Sequence, residues 1–200
     1  MLTNAKMALH ALEAWESRED PDVTHLPLVD PTTAAAPVSE LFTEVQRRLG
    51  ANPNMTRAMG NSPALLKGYL DLSGALSRGV LDVATRERIA LTVAHGNGCS
   101  YCLSAHSYLA EHVARLGADE ITAARKATAA DPKTAAILSF AAAVNEGRGT
   151  VTDEDLAVAR AAGLTDEEIA ETIGHVALNV LTNYFNKAVD VDIDFPVVAA

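Results

Sequence analysis

A chain of 200 residues and 21.0 kDa can bury the core of one domain and is barely long enough for two small ones. Apolar residues make up 48% and charged residues 21% of it, with a mean hydropathy of +0.08; that excludes a disordered chain, and no apolar run approaches the ~18 residues of a membrane span. Sixteen basic against 26 acidic residues leave a net charge of −10, without the cationic surplus that nucleic-acid binding requires, so neither nucleic acid nor membrane is an expected partner.

The first twenty residues carry Glu13, Glu16, Glu19 and Asp20 among scattered apolar positions, unlike the basic start and compact apolar stretch of a signal peptide. A cytoplasmic protein is expected. Residues 1–37 read as a leader or arm of weak amphipathic character (Met7, Leu12, Trp15) that ends in the loop DPTTAAAP. Residues 38–200 read as one all-α domain. Ser39 is a candidate cap for a helix with Leu41, Phe42, Val45 and Leu49 on its apolar side and Gly50 as its stop. Ser62 with Pro63 opens the next, with Leu65, Leu66, Tyr69, Leu70 and Leu76 inward and Gly79 as the stop.

A third helix is expected over 84–95 and a fourth over 99–116, separated by the break Gly96-Asn97-Gly98. Asp119 opens a short helix, and Asp131 with Pro132 opens one that ends at Gly147. Thr152 with Asp155 and Thr165 with Glu168 have the form of capping boxes. The last helix is read with Ile169, Ile173, Val176, Ala177, Val180 and Leu181 inward, before an extended tail over 190–196.

The chemistry concentrates in ERIALTVAHGNGCSYCLSAH, residues 87–106, which holds the only two cysteines of the chain. On a helix, Cys99, Cys102 and His106 project within an arc of roughly 60°, so they can meet. The break before Cys99 places it at a helix N-terminus, where unpaired N–H groups favour a thiolate. Two thiols one turn apart can close a disulfide, one attacking an oxidant and the other resolving the product. Glu87 on the preceding antiparallel helix can reach this face and act as a base, directly or through water. A competing zinc set of His95, Cys99, Cys102 and His106 is disfavoured, since three of the four share one straight helix and wrap a tetrahedral ion poorly.

His175, Asn179 and Asn183, at four-residue steps, form a polar stripe on the last helix. It suits a satisfied structural network, for which a subunit interface is one location, or the wall of a substrate channel. His10, His25 and His112 have no evident partner, and Trp15 is a packing residue. The acidic clusters 153–155 and 166–168 read as N-terminal helix charges.

The pattern Glu87, Cys99-Ser-Tyr-Cys102, His106 resembles the core motif of the alkylhydroperoxidase D-like members of the carboxymuconolactone decarboxylase family. The similarity extends to LSGAL at 72–76, TRERIAL at 85–91 and the closing stretch 175–196, covering residues 38–196. The resemblance implies an all-helical trimer or hexamer with the CxxC at a helix N-terminus. It also implies reduction of a small organic hydroperoxide by a dihydrolipoamide-like or thioredoxin-like dithiol, with no cofactor and no metal. Carried over, Cys102 is the peroxidatic cysteine, Cys99 the resolving one, and Glu87 and His106 the proton relay. Dipole reasoning alone prefers Cys99 as the attacker, whereas the relay prefers Cys102; Cys99 is then expected to be the more exposed thiol, which meets the reductant. The chain departs from the best-known family pattern at Tyr101, where a histidine precedes the second cysteine. Tyr101 is expected to point away from the thiols and to alter efficiency or substrate with the mechanism retained. Two other readings remain: a metal-binding or redox-sensing protein using the same thiols, and a cofactor-free decarboxylase or isomerase working through His106 or His175.

Overall fold

The computed structural model describes residues 24–200; Met7, His10, Leu12 and Trp15 lie outside them. Among the described residues the regular structure is entirely helical: α1 (Val38–Leu49), α2 (Asn54–Met59), α3 (Pro63–Leu76), α4 (Val83–Gly96), α5 (Ser100–His112), α6 (Ala118–Arg125), α7 (Pro132–Glu146), α8 (Asp153–Ala161) and α9 (Asp166–Val189). No helix among them is long and apolar enough to cross a membrane.

Local chemistry sets most of these boundaries. Ser62, Asp82, Asp131, Thr152 and Thr165 each accept a bond from a backbone N–H of the first helical turn, satisfying a donor the helix leaves unpaired. The boxes at Thr152 and Thr165 are reciprocal, since Asp155 and Glu168 accept in turn from the N–H of the cap residue at 2.8 Å each. The first helix differs from expectation. It starts after Pro37, without a side-chain cap, and Ser39 lies in its first turn, where its carbonyl accepts from Thr43. The six-residue α2 is too short to show an apolar period.

Helix α4 is the centre of the molecule. Residues 89–94 are all buried, so this helix is covered on every side, by α5, α6, α7 and α9. Its one polar residue in that run, Thr92, donates to the carbonyls of Arg88 and Ala124. A second, smaller cluster of Leu41, Phe42, Val45, Met59, Leu66 and Leu70 joins α1, α2 and α3. Met55 and Phe185 pack against both clusters, and the functional cavity lies along this seam.

The ends of the described chain fold back onto the helices. His25 donates its backbone N–H to Val189 at 2.6 Å, Val29 donates to Arg57 at 3.3 Å, and His25 Nδ1 meets the Ala188 carbonyl. At the other end, Asp194 accepts from the Asn54 N–H and the Tyr101 hydroxyl, both at 2.8 Å, and Val198 donates to Ser104 at 2.8 Å.

The last helix reverses part of its expected orientation. Ile173, Ala177 and Leu181 are exposed, while His175, Asn179, Thr182, Asn183 and Asn186 are buried. A polar wall faces the interior, and the apolar positions form a stripe on the outside with Tyr184, 58% exposed.

Candidate functional site

The break between α4 and α5 determines the position of the cysteines. Gly98 takes a left-handed conformation at φ 61°, which glycine adopts without steric cost, and the Cys99 N–H returns to the Ala94 carbonyl at 3.0 Å. Three asparagines brace the turn. Asn97 and Asn145 exchange reciprocal amide bonds at 3.1 Å, and Asn97 also donates to Asn183 Oδ1 at 3.0 Å. Lys187 caps the Asn97 carbonyl at 2.6 Å. Asn183 therefore belongs to a structural network, the first of the two roles open to the polar stripe.

Cys99 is the N-cap of α5, and its sulfur accepts the Cys102 N–H at 3.3 Å. Both cysteines are free, with their sulfurs 2.6 Å apart, so disulfide closure needs little backbone movement. The two sulfurs are electrostatically unequal. The hydrogen bond from Cys102 pulls the Cys99 thiol well below its ordinary value against burial, with the N–H of Cys102 and the His106 charge acting in the same direction. Cys102 is pushed far up, first by its bond to Cys99, then by burial and the Cys99 charge, against a bond from Asn186. Of the two thiols Cys99 therefore ionises first, and the remaining proton is held on Cys102.

This asymmetry carries a prediction. Ultraviolet thiolate absorbance should rise with a midpoint near the Cys99 value of about 7, below the ~8.5 of a free thiol, and should account for one thiolate. Cys99→Ser should remove that step.

The expectation that Cys99 is the exposed thiol is overturned. Cys99 is 1% exposed and Cys102 3%, because Cys99 is enclosed between the α4–α5 turn and the core. Only Cys102 lines the cavity of about 250 Å³ along the seam. The same cavity is lined by Glu87, His106, Tyr69 and Tyr101. His106 Nδ1 lies 2.8 Å from Glu87 Oε2, in the arrangement in which a carboxylate orients an imidazole for proton transfer. The structure thus brings Glu87, Cys102 and His106 to one cavity, with Cys99 behind Cys102.

Tyr101 also departs from expectation. It does not turn away from the thiol chamber; it lines it, packed edge-to-face on Phe195 (centroids 5.9 Å apart) with its hydroxyl on Asp194. Burial pushes the Tyr101 hydroxyl well above its ordinary value, and the Asp194 charge adds to the effect. It therefore stays a neutral hydrogen-bond donor.

The polar stripe of α9 divides. His175 and Asn179 line the cavity, as Thr182 and Asn186 do. Asn186 escaped the sequence reading although it lies three residues beyond Asn183 on the same face. Its amide donates to the Cys102 sulfur at 3.2 Å. The zinc alternative finds no support: His95 is exposed, away from the buried thiols, and no cluster of three or more ligand-type side chains among the described residues could hold a metal ion. His112 stacks on Tyr108 at 4.2 Å and is not part of the site.

Residues 63–146 match the carboxymuconolactone decarboxylase family, and no curated protein matches the chain in sequence. Among solved structures, it is similar to a peroxidase-related protein from Silicibacter sp. TM1040 (TM-score 0.74, 22% identity, covering 88% of this chain and 94% of that one). It is also similar to an alkylhydroperoxidase AhpD core, a peroxidase-related protein from Ralstonia eutropha JMP134 (TM-score 0.75, 22% identity, 87% and 94% covered). A third likeness is to the debrominase Bmp8, solved in complex with 2,3,4-tribromopyrrole (TM-score 0.72, 22% identity, 88% and 92% covered). Residues 63–146, fewer than half of the chain, are thus similar to the carboxymuconolactone decarboxylase family, and the fold is shared over most of its length with these solved proteins.

Proposed function

We propose that this protein is a thiol-dependent reductase of small organic hydroperoxides, in which Cys102 attacks, Cys99 resolves, and Glu87 and His106 move the proton. The observation that carries this reading is the opening of Cys102, and not Cys99, onto the cavity that holds the Glu87–His106 pair.

The chemistry follows from the unequal sulfurs. Cys102 gives its proton to His106, one turn along α5, while Glu87 stabilises the imidazolium. The Cys102 sulfur attacks the terminal oxygen of the hydroperoxide and the O–O bond breaks. The departing alkoxide takes the proton from His106 and leaves as the alcohol, with Cys102 now a sulfenic acid. The Cys99 thiolate then attacks the Cys102 sulfur, the hydroxide leaves and is protonated to water, and a disulfide forms. A thiol held at high pKa gives the stronger nucleophile once deprotonated, so Cys102 suits attack and the ready thiolate of Cys99 suits resolution.

An external dithiol restores the reduced pair. Because both sulfurs are buried, a small dihydrolipoamide-like molecule that enters the cavity fits better than the face of a thioredoxin-like protein. The reading includes a cytoplasmic setting and a homotrimer or hexamer. The apolar stripe of α9, with Ile173 44% and Leu181 36% exposed, is the surface assigned to the subunit contact. Light scattering should give a mass of at least three chains, and a stable monomer at micromolar concentration would contradict the assembly.

The test of the activity is dithiol-dependent consumption of cumene hydroperoxide by the purified protein. Turnover that needs both cysteines supports the reading. Absence of turnover with every dithiol, or activity that survives removal of both thiols, would favour a sensor or a decarboxylase-type enzyme instead.

A further inference from the structure

The cavity has a second end that the peroxide chemistry does not use. Eleven residues of α9 separate Asn186, on the Cys102 sulfur, from His175. At about 1.5 Å per residue this is on the order of 16 Å along the helix. At the far end Arg86 and His175 line the same cavity. The Nε2 of His175 is buried and has no hydrogen-bond partner, a state that native interiors avoid unless a ligand or water completes the site. Arg86 spends Nη1 on the Leu81 carbonyl at 2.7 Å. Among the described residues its guanidinium is paired with no carboxylate.

The carboxylates nearest this end are already engaged. Glu87 holds His106, and Glu171 accepts the backbone N–H groups of Val80 and Leu81 at 2.9 and 3.1 Å. Burial, followed by the positive charge of Arg86, lowers the pKa of His175 against Glu171 and Glu87, so the ring is neutral and can present an N–H. A guanidinium without a carboxylate partner and a neutral imidazole whose Nε2 is unpartnered, lining one cavity, suit a carboxylate. Leu109 and Leu178 line the cavity as well and suit an apolar chain.

We infer that Arg86 and the Nε2 of His175 form a carboxylate subsite, and that the hydroperoxide reduced at Cys102 is carried by an organic acid docked there. The inference deepens the reductase reading and rests on it for the O–O step. The carboxylate itself is unchanged by the reaction and serves to orient the chain with its hydroperoxide toward the thiol.

The subsite is tested without turnover by calorimetric titration of the reduced protein with octanoate and with octanol, which share chain length and differ in charge. Octanoate is expected to bind about tenfold tighter or more, and Arg86→Gln should erase the difference, while Arg86→Lys keeps part of it. Equal binding of the two ligands by the unaltered protein would overturn the subsite whether or not the variants fold. A preference that persists in folded Arg86→Gln would overturn the role of that residue. In a parallel arm, a hydroperoxy fatty acid should show a lower KM than its methyl ester. An octanoate preference without turnover of any hydroperoxide would support the subsite and overturn the reductase reading, so the two failures are distinguishable.

Discussion

Replacement of Cys102 by serine is expected to abolish hydroperoxide consumption even in a single turnover, whereas Cys99→Ser should still consume about one equivalent and leave a trappable sulfenic acid. The asymmetry follows from access and charge together. Cys102 lines the cavity and Cys99 does not. The bond and charge of Cys99 are also what hold the Cys102 proton most strongly. Removing Cys99 therefore eases ionisation of Cys102, and the first oxidation should be no slower in Cys99→Ser than in the unaltered protein. Only the second step is lost, for want of a resolving thiolate. Stopped-flow consumption with a sulfenic-acid trap measures both variants. The reverse pattern would exchange the two roles and return the attack to the helix-dipole cysteine.

The second large effect is expected at the relay. Glu87→Gln and His106→Gln should each slow the first oxidation by roughly 10² to 10⁴, the contribution of a positioned general acid–base, equivalent to about 3 to 5 kcal/mol of barrier. The loss should be this large because the Cys102 proton must be drawn from a buried thiol beside a negative neighbour. The pair is linked at 2.8 Å, so the double variant should be little worse than either single one. Slow disulfide formation by a small oxidant that needs no proton delivery should persist. If the single variants keep full single-turnover rates, Glu87 and His106 only pack the cavity wall.

The sequence exposed the helices and the thiol motif, and missed what depends on the chain folding back on itself. Caps such as Asp131, Thr152 and Thr165 are local, since their partners lie three residues away, so their letters suffice. The contact between Cys99 and Cys102, and that of Glu87 with His106, follow from helical spacing and one tight turn. The burial of Cys99 was not legible, because it depends on how the α4–α5 turn sits against the asparagines of α7 and α9. Tyr101 was misplaced for a similar reason. A helical wheel turns it from the thiol face, but Phe195 and Asp194 arrive from the distant tail and complete the chamber around it. On α9 the ordinary rule that apolar residues face inward failed at Ile173, Ala177 and Leu181, because an interior cavity with a polar wall claims the opposite face. Asn186 had a usable signal, the continuation of the His175, Asn179 and Asn183 stripe by a further turn, which pointed to the same buried face.

Cys99 and Cys102 are expected to form a two-electron couple for an organic hydroperoxide. Counting free thiols and measuring intact mass after one equivalent of cumene hydroperoxide is added to the reduced protein without dithiol reads this couple. Both thiols should be lost, the mass should fall by about two hydrogens and one equivalent of the alcohol should be released, with thiols and mass restored by a small dithiol. Two thiols still titrating with the hydroperoxide unconsumed, or a sulfinic acid as the main first product, would contradict it.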